Sequence, residues 1–286
     1  MASDNLRGSL WMMASMAGFA AEDGFLKSAA SEMPLGQVLA FEGMLGILWF
    51  STLALRAGSP PLPRAALSRT MAVRSAFEVA GRLFYALAVA LTPISTASAI
   101  LQATPLVVVP VAAFMFGEKV GLFRGALIVI GFLAVLLILR PGLSGFSALS
   151  FLALLGMLGF AGRDLATRAA PPALSNAQLG VAGFTVLALC GFGMLLVTGG
   201  VTLPNAHGLA LMAGASAFGI AGYGALTQAM RTGQVSAVTP FRYTRIVFAL
   251  IVGVVIFGER PDALTLAGSA MIVACGLTLL VQRPQR

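Results

Sequence analysis

The chain has 286 residues, of which 58% are hydrophobic and 10% charged, and its mean hydropathy is +0.94. Soluble domains carry roughly a quarter charged residues, so a water-soluble globular fold is excluded and a membrane protein is expected. The net charge of +8 does not point to nucleic acid, because the basic residues stand in short loops between apolar runs, as in the cytoplasmic loops of membrane proteins.

A helix needs about 20 apolar residues to cross a bilayer. Ten such spans can be placed, at about 6–29, 35–56, 70–91, 94–116, 121–139, 145–168, 177–198, 206–230, 234–257 and 262–281. Gly, Pro, Ser and Asn mark the turns, as in Ser59-Pro60-Pro61-Leu62-Pro63, Arg140-Pro141-Gly142 and Pro171-Pro172. The first apolar run continues past Asp23 without a small-residue cleavage site and reads as a helix, not a signal peptide. With the N-terminus in the cytoplasm, inner ends hold Arg7, Arg56, Arg64, Arg69, Arg74, Lys119, Arg124, Arg168, Arg231, Arg283 and Arg286. Outer ends hold Lys27, Arg140 and Arg260. That imbalance places both termini inside.

The first span carries Gly18-Phe19-Ala20-Ala21-Glu22-Asp23-Gly24-Phe25-Leu26-Lys27. A related motif stands at Gly159-Phe160-Ala161-Gly162-Arg163-Asp164-Leu165-Ala166-Thr167-Arg168. Shifting the chain by 141 aligns 6–118 with 147–259 without a gap and gives 27 identities in 113 pairs, where chance in so apolar a composition gives roughly a tenth. Gln37 pairs with Gln178, Pro63 with Pro204, Ser75-Ala76-Phe77 with Ser216-Ala217-Phe218, Gly81 with Gly222, and Ser95 with Ser236. Each half, 1–141 and 142–286, holds five spans. An odd number turns the second half over, so the expected fold is an all-α membrane protein of ten transmembrane helices in two inverted five-helix repeats. Such transporters place their substrate near the midplane, between the repeats.

Two five-span halves, a Lys near the end of the first span, and Phe116-Gly117-Glu118 and Phe257-Gly258-Glu259 closing the fourth and ninth resemble the drug/metabolite transporter superfamily. Within it, the chain is similar to EamA-type permeases of the bacterial inner membrane. The resemblance implies a central cavity among spans 1–4 and 6–9, peripheral spans 5 and 10 able to support a homodimer, and export. Amino-acid exporters of the superfamily often begin span 1 with a Trp-Ser-Thr-like sequence. Here Trp11-Met12-Met13-Ala14-Ser15 stands instead, so that substrate is not carried over.

Charged residues within a span face a partner or a water-filled cavity. Glu78, Arg82 and Tyr85 lie on one face of the third span, as a structural ion pair or as groups facing the substrate. Arg242 and Arg245 share a face after Pro240, beside Tyr243, and a planar guanidinium suits a carboxylate or phosphate. Pro240 can kink the ninth span. The equivalent stretch of the fourth span, around Gln102, is polar but uncharged. Glu42 is either a proton-coupling carboxylate or the partner of an Arg such as Arg82. Tyr223 is a further cavity candidate. Asp23 with Lys27, and Asp164 with Arg168, read as local i,i+4 pairs or as one gate on each side, with Glu22 against Arg163 as the charge reversal between them.

These residues describe a secondary transporter of a small anionic or zwitterionic metabolite, working by alternating access. A cationic or neutral solute is the second reading, with Glu22, Asp23, Glu42 and Glu78 as attractants. An embedded enzyme is disfavoured: the chain has one His, no His-Glu-x-x-His and no nucleotide loop. No cofactor or metal is expected.

Overall fold

The computed structural model describes residues 2–91, 100–118, 120–139, 150–258 and 263–281. These are helices and short connections, with no strand among them. The helices are α1 (Ala2–Ala29), α2 (Leu35–Arg56), α3 (Arg69–Leu91), α4 (Thr104–Phe116), α5 (Leu122–Leu139), α6 (Ser150–Arg168), α7 (Asn176–Thr198), α8 (Ala206–Thr232) and α10 (Ala263–Val281). Between the last two, α9 is built of three pieces: Val235–Val238, a 3-10 stretch Thr239–Tyr243, and Thr244–Phe257. Several features named above lie outside the described residues: Ser95, Lys119, Arg140-Pro141-Gly142, Glu259, Arg260, Arg283 and Arg286, with the first residues of the fourth and sixth spans.

Four helical segments are long and apolar enough to cross a membrane: Leu35–Arg56, Asn176–Thr198, Ala206–Thr232 and Val235–Ile256. By contrast, α1, α3 and α6 each carry several of the charged residues discussed below.

The break in α9 falls at Pro240, whose ring removes a backbone donor. The fourth span is also broken, where a continuous helix was expected. Helix stops at Leu101, turns through Gln102 and Ala103, and resumes at Thr104 with Pro105 in its first turn. Positions 102 and 103 are equivalent to 243 and 244 under the 141-residue shift. The helix ends match as well. Gly117 closes α4 at φ +65° and Gly258 closes α9 at φ +64°, a left-handed conformation open to glycine at no steric cost.

The long helix contacts cross between the halves. α1 packs along α8, α2 along α7, and α3 along α6, while α5 packs on α10 at one side. Small residues permit this. A Cβ built on Gly18 would stand 2.9 Å from the Gly222 backbone, and one built on Gly159 would fall into the backbone of Gly81. The 141-residue shift converts the first of these contacts into the second. The loops follow the same rule. Gln37 of α2 donates to the Thr202 carbonyl (2.7 Å) and accepts from the Thr202 amide (2.9 Å), while Gln178 of α7 donates to the Pro60 carbonyl (2.8 Å). Each glutamine ties the start of its helix to a loop of the other half.

Candidate functional site

The recurring aspartates of α1 and α6 both reach α9. Arg245 forks onto Asp23, with Nη2 2.8 and 2.6 Å from its two oxygens. Arg242 donates to Asp164 Oδ2, and Arg163 Nε donates to Asp164 Oδ1 at 2.9 Å. The expected i,i+4 pairing is not found at Asp164: among the described residues no ion pair joins it to Arg168. Asp23 takes a cation from another helix, Arg245. Each motif phenylalanine lies under a guanidinium: Arg245 is 5.4 Å from the Phe19 ring centre and Arg163 is 5.0 Å from that of Phe160, within cation–π range.

Around Asp164 the charges form a closed centre. Glu78 is fully buried and does not pair with Arg82. Its carboxylate lies 3.4 Å from Arg74 Nη1 and 3.6 Å from Arg163 Nη1, and accepts from the Tyr223 hydroxyl at 3.0 Å. Arg74 Nη2 donates to that same hydroxyl, and its Nε donates to Thr167 Oγ at 2.9 Å. Tyr223 is wedged against Phe50 and Phe184. Buried charges persist only when paired and hydrogen-bonded, and this centre meets that condition. Arg74 Nη1 and Glu78 Oε1 make no hydrogen bond, yet each faces an opposite charge in an ion pair.

Arg74 is the residue missed from sequence. It is 1% exposed, whereas a loop charge facing the cytoplasm was expected. Its i,i+4 spacing to Glu78, five residues into α3, is the signal that it points inward with Glu78.

The second centre lies around Asp23 and is more open. The Asp23 side chain is 49% exposed, against 2% for Asp164. Beside it, Glu22 and Glu42 are buried, and both carboxyl groups crowd over Gly219. A methyl built there would stand 3.1 Å from Glu22 Cδ and would overlap Glu42 Oε1. Glu22 Oε2 and Glu42 Oε2 have no hydrogen-bond partner, and neither does Arg82 Nε. Arg82 is near enough for its charge to act on Glu22, Glu42 and Glu78.

The remaining candidates divide. Tyr85 stacks edge-on against Phe160 at 6.0 Å. Gln102 is buried in the break before α4. Tyr243 is not brought to the charged residues. Its ring lies over Gly131 of α5 and its hydroxyl donates to the Ile128 carbonyl at 3.2 Å. Lys27 is exposed and Arg168 half-buried. Glu118, from the Phe-Gly-Glu that closes α4, accepts from the Val235 and Ser236 amides at 2.8 and 2.7 Å. It thereby caps the orphan donors at the start of α9.

An all-helical bundle with membrane-length apolar helices and ion pairs buried between its halves is the architecture of a membrane-integral transporter. The EamA-like transporter family model matches residues 6–140 and again 145–282, and the chain belongs to that family, whose members are transporters and not enzymes. It is 25% identical over 266 residues to the pseudopaline exporter CntI of Pseudomonas aeruginosa, covering 91% of each chain. It is 22% identical over 190 residues to the S-adenosylmethionine uptake transporter of Rickettsia prowazekii, covering 66% of this chain and 64% of that one. A solved crystal structure superposes with a TM-score of 0.74 over 94% of this chain and 97% of its own, at 19% identity, a likeness of fold.

Proposed function

We propose that this protein is a secondary transporter of a small anionic or zwitterionic metabolite, such as an amino acid or a related compound, working by alternating access at a central cavity between two inverted five-helix repeats, 1–141 and 142–286. One observation carries the reading: equivalent aspartates stand in unequal surroundings, Asp164 sealed under two arginines and Asp23 half-exposed on one. A bundle built from two related halves, closed around one aspartate and open around the other, has an obvious alternative state with the roles exchanged.

The halves are inverted because each holds five spans. Export in a bacterial inner membrane, with both termini in the cytoplasm, accords with the exporter relative and with the charge count, which keeps its sign once Arg74 is set aside as buried. Helices α5 and α10 pack chiefly on each other and expose Leu133 and Leu266 to lipid or to a second copy. A cationic solute is the second reading, favoured by the three acids of the open centre, Glu22, Asp23 and Glu42, against its two bases, Arg82 and Arg245.

Alternating access is tested with single cysteines at the equivalent positions Lys27 and Arg168, in a chain with Cys190 and Cys275 replaced by Ser. Labelling by a water-soluble maleimide should change in opposite directions at the two positions on adding a transported solute. Equal labelling throughout would overturn the reading.

A further inference from the structure

The 141-residue shift maps the two centres onto each other residue by residue. Arg163 answers Glu22, Tyr223 answers Arg82, Gly183 answers Glu42, and Glu78 answers Gly219. In the closed centre the Tyr223 hydroxyl fills the space above Gly183; in the open centre the Glu42 carboxyl fills the space above Gly219. Each centre keeps one acid whose equivalent in the other half is a glycine: Glu42 of α2 answers Gly183, and Glu78 of α3 answers Gly219. What differs is the company of that acid. Glu78 meets two guanidiniums and a hydroxyl. Glu42 meets a second acid, Glu22, and one guanidinium that donates to neither through its Nε.

The open centre therefore contains two unpartnered acceptors, Glu22 Oε2 and Glu42 Oε2, and one unpartnered donor, Arg82 Nε. Glu22 is 5% and Glu42 1% exposed, so ordinary solvation does not serve them, and a buried polar atom left unpaired is costly. We infer that these three residues are the recognition site for a zwitterion carrying a protonated amine, with the ammonium between Glu22 and Glu42 and the carboxylate on Arg82. An ammonium has three donors and a positive charge, which suits two adjacent carboxyl groups. An anion lacking an amine would put a third negative group beside two acids. The inference rests on the transporter reading above and narrows its substrate to compounds with a free amine.

The test uses the purified full-length protein with a panel of free L-amino acids, each beside its N-acetyl derivative and its carboxamide, in a thermal-shift screen followed by titration of the amino acids that bind. N-acetylation should weaken binding at least about tenfold, the loss of one charge-assisted contact. Glu42→Gln and Glu22→Gln, which keep shape and remove charge, should weaken the free amino acid by a similar factor with the melting temperature retained. Arg82→Gln should abolish the preference of the protein for the acid over its carboxamide. N-acetyl derivatives binding as tightly as their parents would overturn the inference and leave the transporter standing. Proteoliposomes that accumulate no panel member, together with no binding, would remove the proposed substrate class and the inference with it.

Discussion

The two charged centres are built at equivalent positions and reach opposite outcomes. Around Asp164, every charged group has an opposite charge at hand, and the cluster is closed to solvent. Around Asp23, the pair with Arg245 is half-exposed, while Glu22, Glu42 and Arg82 keep polar atoms without partners. The difference arises from exchanges at equivalent positions: Arg163 for Glu22, Tyr223 for Arg82, Gly183 for Glu42, Glu78 for Gly219 and Arg74 for Ala215. A duplicated sequence thus supplies two related crossings, and a few substitutions leave one fully paired and the other with buried polar atoms unpaired.

The comparison can be broken most severely at the aspartates. Asp164→Ala leaves Arg163 and Arg242 facing each other in a buried setting and should destabilise the fold by about 3–5 kcal/mol. Asp23→Ala, at a half-exposed pair, should destabilise by about 1 kcal/mol or less. Thermal unfolding of the two variants in one detergent measures the gap, and equal losses would show the centres to be equally buried in the membrane.

The glycine crossings come next. Gly159→Ala drives a methyl into the Gly81 backbone, whereas Gly18→Ala meets Gly222 at 2.9 Å. Overpacking costs about 1–3 kcal/mol, so both variants should melt lower, Gly159→Ala more so. A smaller effect belongs to Tyr223→Phe, which removes the hydroxyl bridging Arg74 and Glu78. It should cost about 1.5 kcal/mol while leaving any substrate preference set by Arg82 in place. A change of preference without a change of melting temperature would mean that the closed centre also touches substrate.

Much of the fold was legible because the solvent imposes it. Apolar runs of membrane length must be helices, and their ends fall at the Gly and Pro turns. Pro240 foretold the break in α9, but the equivalent break before Thr104 went unread. The sites were harder to read. Asp164 and Arg168 sit at ideal helical spacing, so the local pair is the natural expectation. A carboxylate in a bundle takes the cation that packing delivers, and for Asp164 one such cation is Arg242, from 78 residues away. Arg74 was counted by its place near a loop, when its depth in the bundle was what mattered. Tyr243 was grouped with the arginines beside it, although neighbours on a helix point about 100° apart; it faces α5 instead.

The crossing of helices between the halves also bears on how the protein is made. Helices α1, α2 and α3 find their long partners in α8, α7 and α6, all of which leave the ribosome later. Until then, their glycine faces and four acids, Glu22, Asp23, Glu42 and Glu78, wait in the membrane. The arginines that answer Glu78 and Asp23 from the second half, Arg163 and Arg245, are translated on α6 and α9. Synthesis therefore passes through an interval in which the first half has been made but the long partners of α1, α2 and α3 have not.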